Sequence, residues 1–235
     1  MNYVFPPIAQ PALPIFGSDQ LIPVRRIFCL GRNYADHARE MGIDPDKSEP
    51  FFFTKPADAL VQDGAAVPYA RGTTDFQYEV ELVSVIGRRA EDVSVANALD
   101  HVFGYATGLD MTRRDLQSIA KKNVQPWDMG KGFDNSAPCS AVRRASEMGH
   151  PREGRIALKK NGEIVQQSDL ANQIWQIDET IAYLSKFITL LPGDLIFHGT
   201  PEGVGPVEPG DQLEATIASV ADLSVRIVSR SQQDQ

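Results

Sequence analysis

The chain has 235 residues, of which 42% are hydrophobic, and a formal net charge of −8 at pH 7. This composition can fill a sizeable core. The acidic balance, with no basic stripe, argues against nucleic-acid or anionic-membrane binding, and no apolar run has membrane-spanning length. Cys29 and Cys139 give neither a disulfide framework nor a metal-ligand spacing. With an N-terminus that lacks a signal-peptide pattern, they predict a cytoplasmic protein.

The first part of the chain predicts a short N-terminal extension. Residues 1–24 are rich in proline and mix short apolar runs with turn residues, so we expect them to pack on the core. Arg26 to Leu30 is a compact apolar run that predicts a buried strand, ending at Gly31 where the chain can turn sharply. Because no internal repeat or low-complexity linker follows, we predict a single domain over residues 25–235.

A short helix is predicted after this strand, from a cap at Asn33 to a stop at Gly42. His37 and Glu40 lie three residues apart and share one face of that helix. A carboxylate beside an imidazole fixes its tautomer and raises its basicity, which suits a general base for water. A surface pair that only supports the helix fits the same spacing. The polar loop from Ile43 to Pro50 is a candidate lid.

A strand-like run from Tyr78 to Ile86 carries two carboxylates. Side chains alternate along a strand, so Glu79 and Glu81 point the same way, and Val83 and Val85 continue that face inward. Two buried like charges repel, so either one carboxylate takes a proton or a cation lies between them. The other interpretation is the solvated face of an antiparallel sheet.

A third carboxylate follows the next apolar run. Val102 to Leu109 predicts a strand, and Asp110 comes directly after it, where it could converge with Glu79 and Glu81. Three carboxylates without nitrogen or sulfur ligands suit a hard cation such as Mg²⁺, with Mn²⁺ or Ca²⁺ as substitutes. Because Mg²⁺ shares its coordination sphere with water and substrate oxygens, a catalytic site is favoured over a structural one.

The segment after Asp110 predicts a helix from Arg113 to Lys122, capped by Thr112. Arg114 and Gln117 would lie on one helical face near the third carboxylate. Arginine is suited to bidentate carboxylate recognition. Both residues could equally be ordinary solvated helix positions.

A loop from Asn123 to Asn135 contains Lys131 between two glycines. The backbone freedom of Gly130 and Gly132 would let this lysine reach an anion. An exposed loop lysine without a function fits the same pattern.

The remaining chain is predicted to be mostly β. Arg155 to Val165 forms a hairpin around an Asn-Gly turn. Asp178 to Leu190 is the longest predicted amphipathic helix. Leu195 to His198 predicts a strand that leads into a glycine-rich loop over residues 199–206, which can present backbone N–H groups to an anion.

Together these motifs resemble the fumarylacetoacetate hydrolase family. Each motif is short, but the combination follows the family's order over residues 29–206. The Phe51-Phe52-Phe53-x-Lys55-Pro56 run and the short chain resemble the compact acylpyruvase members, particularly fumarylpyruvate hydrolases. The matching motifs are Gly31-Arg32-Asn33-Tyr34 with His37 and Glu40, Glu79-x-Glu81, Asp110 with Arg114 and Gln117, Lys131-x-Phe133, and Gly199-Thr200-Pro201 with Gly203-x-Gly205.

The resemblance implies an α+β fold that is mainly β, namely a mixed β-sandwich roll. It also implies a cytoplasmic homodimer that takes part in the degradation of aromatic compounds. It makes residues 25–235 the catalytic domain. The implied cofactor is Mg²⁺, with Mn²⁺ possible. The implied roles are metal ligation by Glu79, Glu81 and Asp110, water activation by His37 and Glu40, catalysis by Lys131, and substrate contacts by Arg32, Arg114, Gln117 and Thr200.

The implied reaction is Mg²⁺-dependent hydrolysis of the C–C bond of an acylpyruvate, with fumarylpyruvate, cleaved to fumarate and pyruvate, as the best single substrate. A metal that chelates the 2-oxo acid stabilises the departing pyruvate enolate. The same enolate would serve an oxaloacetate decarboxylase, or an isomerase or decarboxylase of a ring-cleavage 2-oxo dioic acid. A non-catalytic metal-binding protein on the same fold is the third hypothesis. His198 and Gly132 depart from the expected family residues, which bears on substrate identity more than on reaction class.

Overall fold

The structure is a computed structural model that describes residues 2–35 and 48–230. Within these ranges the chain is mainly β, with antiparallel sheets of two and three strands and mixed sheets of five and eight strands, which confirms the predicted fold class. The strands, numbered in chain order, are β1 Ala12–Pro14, β2 Leu21–Pro23, β3 Arg26–Gly31, β4 Phe51–Lys55, β5 Leu60–Gln62, β6 Ala66–Pro68, β7 Phe76–Tyr78, β8 Val80–Ile86, β9 Val102–Leu109, β10 Thr112–Arg113, β11 Ala137–Cys139, β12 Arg143–Arg144, β13 Arg155–Lys160, β14 Glu163–Asp169, β15 Asp194–Phe197, β16 Gly205–Pro206, β17 Gln212–Ile217 and β18 Leu223–Val228.

The described helices are short, and none of them is long and apolar enough to cross a membrane. One-turn 3-10 helices lie at Ala57–Ala59, Leu99–His101 and Leu170–Asn172. The α-helices are α1 Val95–Ala98, α2 Arg114–Lys122, α3 Asp128–Lys131, α4 Ala145–Met148 and α5 Ile177–Ser185.

Helix α5 ends earlier than the sequence predicts. The helix begins with a capping box between Gln176 and Glu179. It stops at Ser185 instead of continuing to Leu190, because the backbone of Leu190 exchanges hydrogen bonds with Ala90 at 2.9 and 3.0 Å. An extended backbone pairing takes the place of the last predicted turn.

The eight-stranded sheet forms the centre of the fold, in the order β4-β3-β15-β8-β9-β11-β5 with β12 paired to β9. Strand β15 runs parallel to β3 and antiparallel to β8. Every residue of β8 is buried, because both faces of the sheet are covered. On one face Val83 and Val85 pack with Leu195, and on the other Leu82 and Ile86 join the main core.

The five-stranded sheet, in the order β14-β13-β17-β18-β6, covers the main core from the other side. Strand β17 alternates exposed and buried residues, as a sheet with one solvated face does. The predicted hairpin is present between β13 and β14. Asn161 and Gly162 have φ values of 55° and 86°, the left-handed conformation that a two-residue hairpin turn requires.

The three-stranded sheet β10-β7-β16 explains where the candidate site forms. The sequence predicts one strand from Tyr78 to Ile86, but the chain changes sheets at Glu79, between β7 and β8. It changes sheets again at Asp110, between β9 and β10, and a third time over residues 198–204, between β15 and β16. Three passages between the same two sheets therefore bring distant polar residues to one junction.

Candidate metal and substrate site

Three buried carboxylates meet at this junction. Glu79, Glu81 and Asp110 each offer an oxygen atom within 4.8 Å of the others. The antiparallel register of β8 and β9 places Glu81 opposite Gly108, and the backbone N–H of Asp110 donates to the Glu79 carbonyl at 2.8 Å. Among the described residues, no other group of three His, Cys, Asp or Glu side chains could hold a metal. The convergence expected from the strand pattern is therefore present.

Two of the carboxylates are paired with buried cations. The Lys131 ammonium lies 2.9 Å from Glu79 Oε2 and 2.6 Å from Asp110 Oδ2. The Lys55 ammonium lies 2.8 Å from Asp110 Oδ1, and the Arg114 guanidinium lies 2.5 Å from Glu79 Oε1. Burial lowers the pKa of Lys131, but the charges of Asp110 and Glu79 outweigh it, so this pKa is raised and the ammonium stays charged.

Glu81 differs from the other two carboxylates. Its Oε2 accepts a 2.7 Å hydrogen bond from the Gly199 N–H, and it forms no ion pair with a cation in the described part of the chain. Burial, followed by the charges of Asp110 and Glu79, raises the pKa of Glu81 well above its usual range. A divalent cation beside these oxygens would relieve the repulsion. The donor set, which is oxygen only and carries up to three negative charges, fits a hard cation such as Mg²⁺ or Mn²⁺.

The position of Lys131 corrects the sequence interpretation of an exposed loop. Lys131 ends helix α3 and is buried, and its backbone carbonyl accepts a short hydrogen bond from the Lys55 ammonium. Sequence analysis gave Lys55 no function beyond its place in an aromatic motif. Its position in the strand is the only sequence signal for a buried Lys55 side chain. That signal is weak, because an apolar run ending in Lys-Pro is equally typical of a strand that emerges into solvent.

The predicted helix cap at Thr112 is wrong. Thr112 pairs with Gln77 across β10 and β7, and α2 begins at Arg114. The Thr112 hydroxyl lies 3.3 Å from Glu79 Oε1 and 2.7 Å from the Lys131 ammonium. Pairing with β7 keeps Thr112 extended, so its side chain joins the carboxylate cluster instead of capping the helix.

Arg114 and Gln117 are not solvated helix positions. Both are buried, and Arg114 Nη1 donates to Gln117 Oε1 at 2.7 Å while its Nε donates to Gln77 Oε1 at 2.7 Å. With Glu79 on the remaining nitrogen, the guanidinium is held in one orientation. The first two turns of α2 thus present a fixed cation and an amide to the cleft beside the carboxylates.

The glycine-rich loop places Thr200 in the same cleft. Gly199 has a φ of 84°, and an added Cβ would lie 2.6 Å from the Cβ of Asn33, so the position requires glycine. The Thr200 hydroxyl accepts a 2.9 Å hydrogen bond from Gln166, whose amide oxygen accepts from the Val80 N–H at 3.0 Å. Gln166 holds the loop and β8 together, and nothing in its sequence surroundings distinguishes it from its polar neighbours in β14.

Asn33 fastens the segment that leads toward the predicted general base. Its amide nitrogen donates to the Trp175 and His198 carbonyls at 2.9 and 2.7 Å, and its oxygen accepts from the Trp175 N–H at 2.7 Å. His37, Glu40 and most of the predicted lid lie outside the described residues, so their roles stay predictions.

His198 and Gly132, the two residues that depart from the family expectation, lie in different surroundings. His198 is buried beneath the glycine-rich loop, and its Nε2 lies 2.8 Å from the Ser84 hydroxyl. Burial lowers the pKa of His198 to about 3, so the ring is neutral. It does not line the cleft. Gly132 follows α3, where an added Cβ would contact two carbonyl oxygens at 3.4 Å.

Two adjoining spaces lie beside the carboxylates. A narrow cleft of about 30 Å³ is lined by the three carboxylates, Arg114, Gln117 and Thr200, among others. A larger cavity of about 490 Å³ lies against Phe51, Phe52 and Phe53. Arg32, Phe53, Trp127 and Lys131 line both spaces, so a molecule could extend from the cleft into the aromatic cavity.

The fold and site define a class of protein: a mainly β fold with a buried carboxylate cluster beside an aromatic cavity. The family model for the fumarylacetoacetate (FAA) hydrolase C-terminal domain matches residues 26–228. The chain therefore belongs to the fumarylacetoacetate hydrolase family, as its motifs predict.

Relatives of two kinds cover nearly the whole chain. The structure of fumarylpyruvate hydrolase from Pseudomonas aeruginosa in complex with Mn²⁺ and pyruvate is 50% identical, with a TM-score of 0.95 over 97% of this chain and 100% of that one. A putative fumarylpyruvate hydrolase from Burkholderia cenocepacia is 46% identical, with a TM-score of 0.92 over 98% of this chain and 100% of that one. The mitochondrial oxaloacetate tautomerase FAHD1 of Bos taurus is 41% identical over 86% of this chain and 91% of its own length.

Proposed function

We propose that this protein is a divalent-metal-dependent hydrolase that cleaves the C–C bond of an acylpyruvate, with fumarylpyruvate as the best single substrate. The observation that carries the proposal is the buried cluster of Glu79, Glu81 and Asp110 in a cleft that adjoins an aromatic cavity. The 50% identity to a fumarylpyruvate hydrolase with Mn²⁺ and pyruvate bound supports the substrate class.

Glu79, Glu81 and Asp110 are proposed to hold the metal, Mg²⁺ or alternatively Mn²⁺. When bound, the ion supplies Lewis-acid stabilisation for the negative charge that develops on a 2-oxo acid as its C–C bond breaks. The protein contributes a set of oxygens that two sheets bring to one junction.

Lys131 and Arg114 have complementary roles in this proposal. Lys131 is buried and charged, and it contacts Glu79, Asp110 and Thr112, so it fixes the ligand orientation and stabilises negative charge nearby. Arg114 and Gln117, held to each other, are proposed to orient the substrate. Thr200 offers a hydroxyl from the opposite side of the cleft.

The attacking water requires a base, and we assign this role to His37 with Glu40 as its orienting carboxylate. The imidazole would take the proton that water loses as it attacks the acyl carbon. Asn33 supports the assignment, because it fixes the chain four residues before His37 by one hydrogen bond to the His198 carbonyl, just before the glycine-rich loop, and by two to the Trp175 backbone.

The test is pyruvate release from fumarylpyruvate with and without Mg²⁺, for the wild type and His37→Ala. We expect metal-dependent release, and a loss of about 10²–10⁴-fold in His37→Ala with Mg²⁺ affinity retained. Metal-dependent turnover would also exclude a non-catalytic metal-binding protein. If His37→Ala releases pyruvate at the wild-type rate, the assigned base is wrong.

Oxaloacetate tautomerisation is the second candidate function, favoured by the 41% identity to FAHD1 proteins. Oxaloacetate would bind in the same cleft, through the metal that the carboxylates hold and through Arg114, but no water attacks it. A wild type that speeds keto–enol interconversion of oxaloacetate and releases no pyruvate from acylpyruvates would put this candidate first. Decarboxylation is distinguished by CO₂ release in the same assay.

We also propose that the protein is a homodimer, as the family resemblance implies. Light scattering during size-exclusion chromatography measures the mass directly. A monomer mass at micromolar concentration would contradict it.

A further inference from the structure

We propose that Arg32 and Lys121 form a second anion site, which holds a carboxylate at the far end of the substrate's acyl group. This inference rests on the proposed function and deepens it: the preferred substrates are dianionic acylpyruvates. Neither residue belongs to the carboxylate cluster or to the set that fixes Arg114.

Lys121 has an unusual position for a lysine. It lies near the end of α2, where it is only partly exposed, whereas the next residue, Lys122, is exposed. Its ammonium lies 4.9 Å from the centroid of the Trp127 ring and lines the narrow cleft. It forms no ion pair with any described residue, although Lys55, Lys131 and Arg114 in the same region each pair with a carboxylate. A partly buried cation without an anion is costly unless a ligand supplies one.

Arg32 also lies near the Trp127 indole and lines the same narrow cleft. Its guanidinium carbon lies 5.2 Å from the Phe51 ring centroid and 5.9 Å from the Trp127 ring centroid. It too forms no ion pair within the described ranges. Cations over aromatic rings keep their charge available, because the ring face attracts them without neutralising them.

The charges of the two residues act on each other. The pKa of Lys121 is lowered to about 8, mainly by burial and then by the charge of Arg114, with Arg32 and Lys131 acting in the same direction and Glu79 against them. An anion between Lys121 and Arg32 would reverse this repulsion. The geometry therefore points to a bound carboxylate at Trp127.

The two spaces give such a carboxylate a place in the substrate. The 2-oxo acid end belongs in the narrow cleft, beside the carboxylates that would hold the metal. The acyl chain would lie against Phe51, Phe53 and Trp127, which line the larger cavity. Its terminal carboxylate would then lie beside Trp127, near Arg32, which lines both spaces, and near Lys121, which lines the narrow cleft. A neutral acyl group would pack against the aromatic side chains but would leave Arg32 and Lys121 without an anion.

The experiment compares two substrates with the same leaving group. Fumarylpyruvate carries a terminal carboxylate, and acetylpyruvate ends in a methyl group. In Mg²⁺-loaded enzyme we measure kcat/KM for each by pyruvate release. Lys121→Met should lower the ratio of fumarylpyruvate to acetylpyruvate kcat/KM by about 10- to 100-fold, the usual effect of removing one charged hydrogen bond. Arg32→Gln should act in the same direction.

Lys122→Met is the matched control, because it removes the same charge one residue away at an exposed position. Its substrate ratio should equal that of the wild type. An unchanged ratio in Lys121→Met and Arg32→Gln, or an equal drop in Lys122→Met, would overturn the second anion site. Lys121→Gln serves if the methionine variant does not fold, as judged by circular dichroism.

A binding measurement separates this inference from the proposed function. Fumarate, titrated calorimetrically into Mg²⁺-loaded protein, should bind the wild type and Lys122→Met alike and bind Lys121→Met about tenfold more weakly. If the wild type releases no pyruvate from either substrate, the proposed function fails while this titration still decides the anion site. Equal fumarate affinity in all three proteins would count against it.

Discussion

Two buried carboxylate sites in this protein are built on opposite plans. Asp194, at the start of β15, is a single carboxylate between two arginines. Arg25 and Arg26 donate to its oxygens at 2.7–3.2 Å, and the Leu191 N–H donates to Oδ2 at 2.8 Å. At the other site, three carboxylates share one junction, and Glu81 forms no ion pair with a described cation.

The difference separates a structural site from a functional one. At Asp194 the acceptors are filled by protein donors, so the network joins β15 to β3 and leaves nothing for a ligand. At the carboxylate cluster, repulsion raises the pKa of Glu81, and a cavity lies alongside. A protein that keeps such repulsion in its interior gains no stability from it, which is the usual mark of a binding or catalytic site.

Removing one charge from the cluster should have the largest effect on activity. In Glu81→Gln we expect a loss of about 10³-fold in kcat/KM, because the Lewis acid contributes several kcal/mol and its affinity falls with the missing charge. The same substitution relieves repulsion, so the metal-free protein should be at least as stable as the wild type. Thermal unfolding with and without Mg²⁺ checks both points, since Mg²⁺ should raise the Tm of the wild type alone. A metal-free Glu81→Gln protein that is markedly less stable than the metal-free wild type would show that the carboxylate cluster is a structural site.

Removing the charge at Asp194 should lower stability and leave metal binding unchanged. Asp194→Asn leaves two arginines without their shared carboxylate, and we expect the free energy of unfolding to fall by about 2–3 kcal/mol. This is less than for a fully buried pair, because the side chains of Arg25 and Arg26 are 41% and 33% exposed and water screens them. Urea unfolding measures the change. Mg²⁺ affinity of the folded variant should match the wild type, and a large loss of affinity would show that the two sites are not independent.

Low pH should reduce the free energy of unfolding through His198. This residue directly precedes Gly199, whose N–H donates to Glu81. The pKa of His198 is lowered by burial to about 3 in the folded chain, against 6.5 for an ordinary histidine. Above pH 6.5 the ring is neutral in both the folded and unfolded states, so His198 adds no pH dependence. Below pH 6.5 only the unfolded chain takes up the proton, and stability falls by up to about 1.4 kcal/mol per pH unit until pH 3.

Between pH 6.5 and 5.5 the contribution is therefore about 1 kcal/mol, the smallest of these effects. His198→Gln should have a shallower slope of unfolding free energy against pH in that window, measured by urea unfolding. The Asp194→Asn protein, which keeps His198, is the control and should retain the wild-type slope contribution. Parallel slopes in His198→Gln and the wild type would show that another group is responsible.

The sequence revealed the chemistry of the site better than its supports. Glu79, Glu81 and Asp110 were predictable because strand alternation and strand ends indicate their directions from local pattern, although the change of sheet at Glu79 was not predicted. Lys55 and Gln166 were not, since each acts on residues far away in sequence, at Lys131 and Thr200. The start of α2 was misplaced for the same reason: Thr112 is held extended by β7, a partner that local cap rules do not include.

The place of β15 in the central sheet has a consequence for biosynthesis. The ribosome makes β3 and β8 first, yet in the finished sheet β15 lies between them and pairs with both. Until β15 emerges, each of those strands has an apolar edge without its partner, the kind of edge that joins other chains. A nascent chain that stops before Asp194 therefore carries Glu79, Glu81 and Asp110 but lacks both β15 and the Gly199 N–H that Glu81 accepts from.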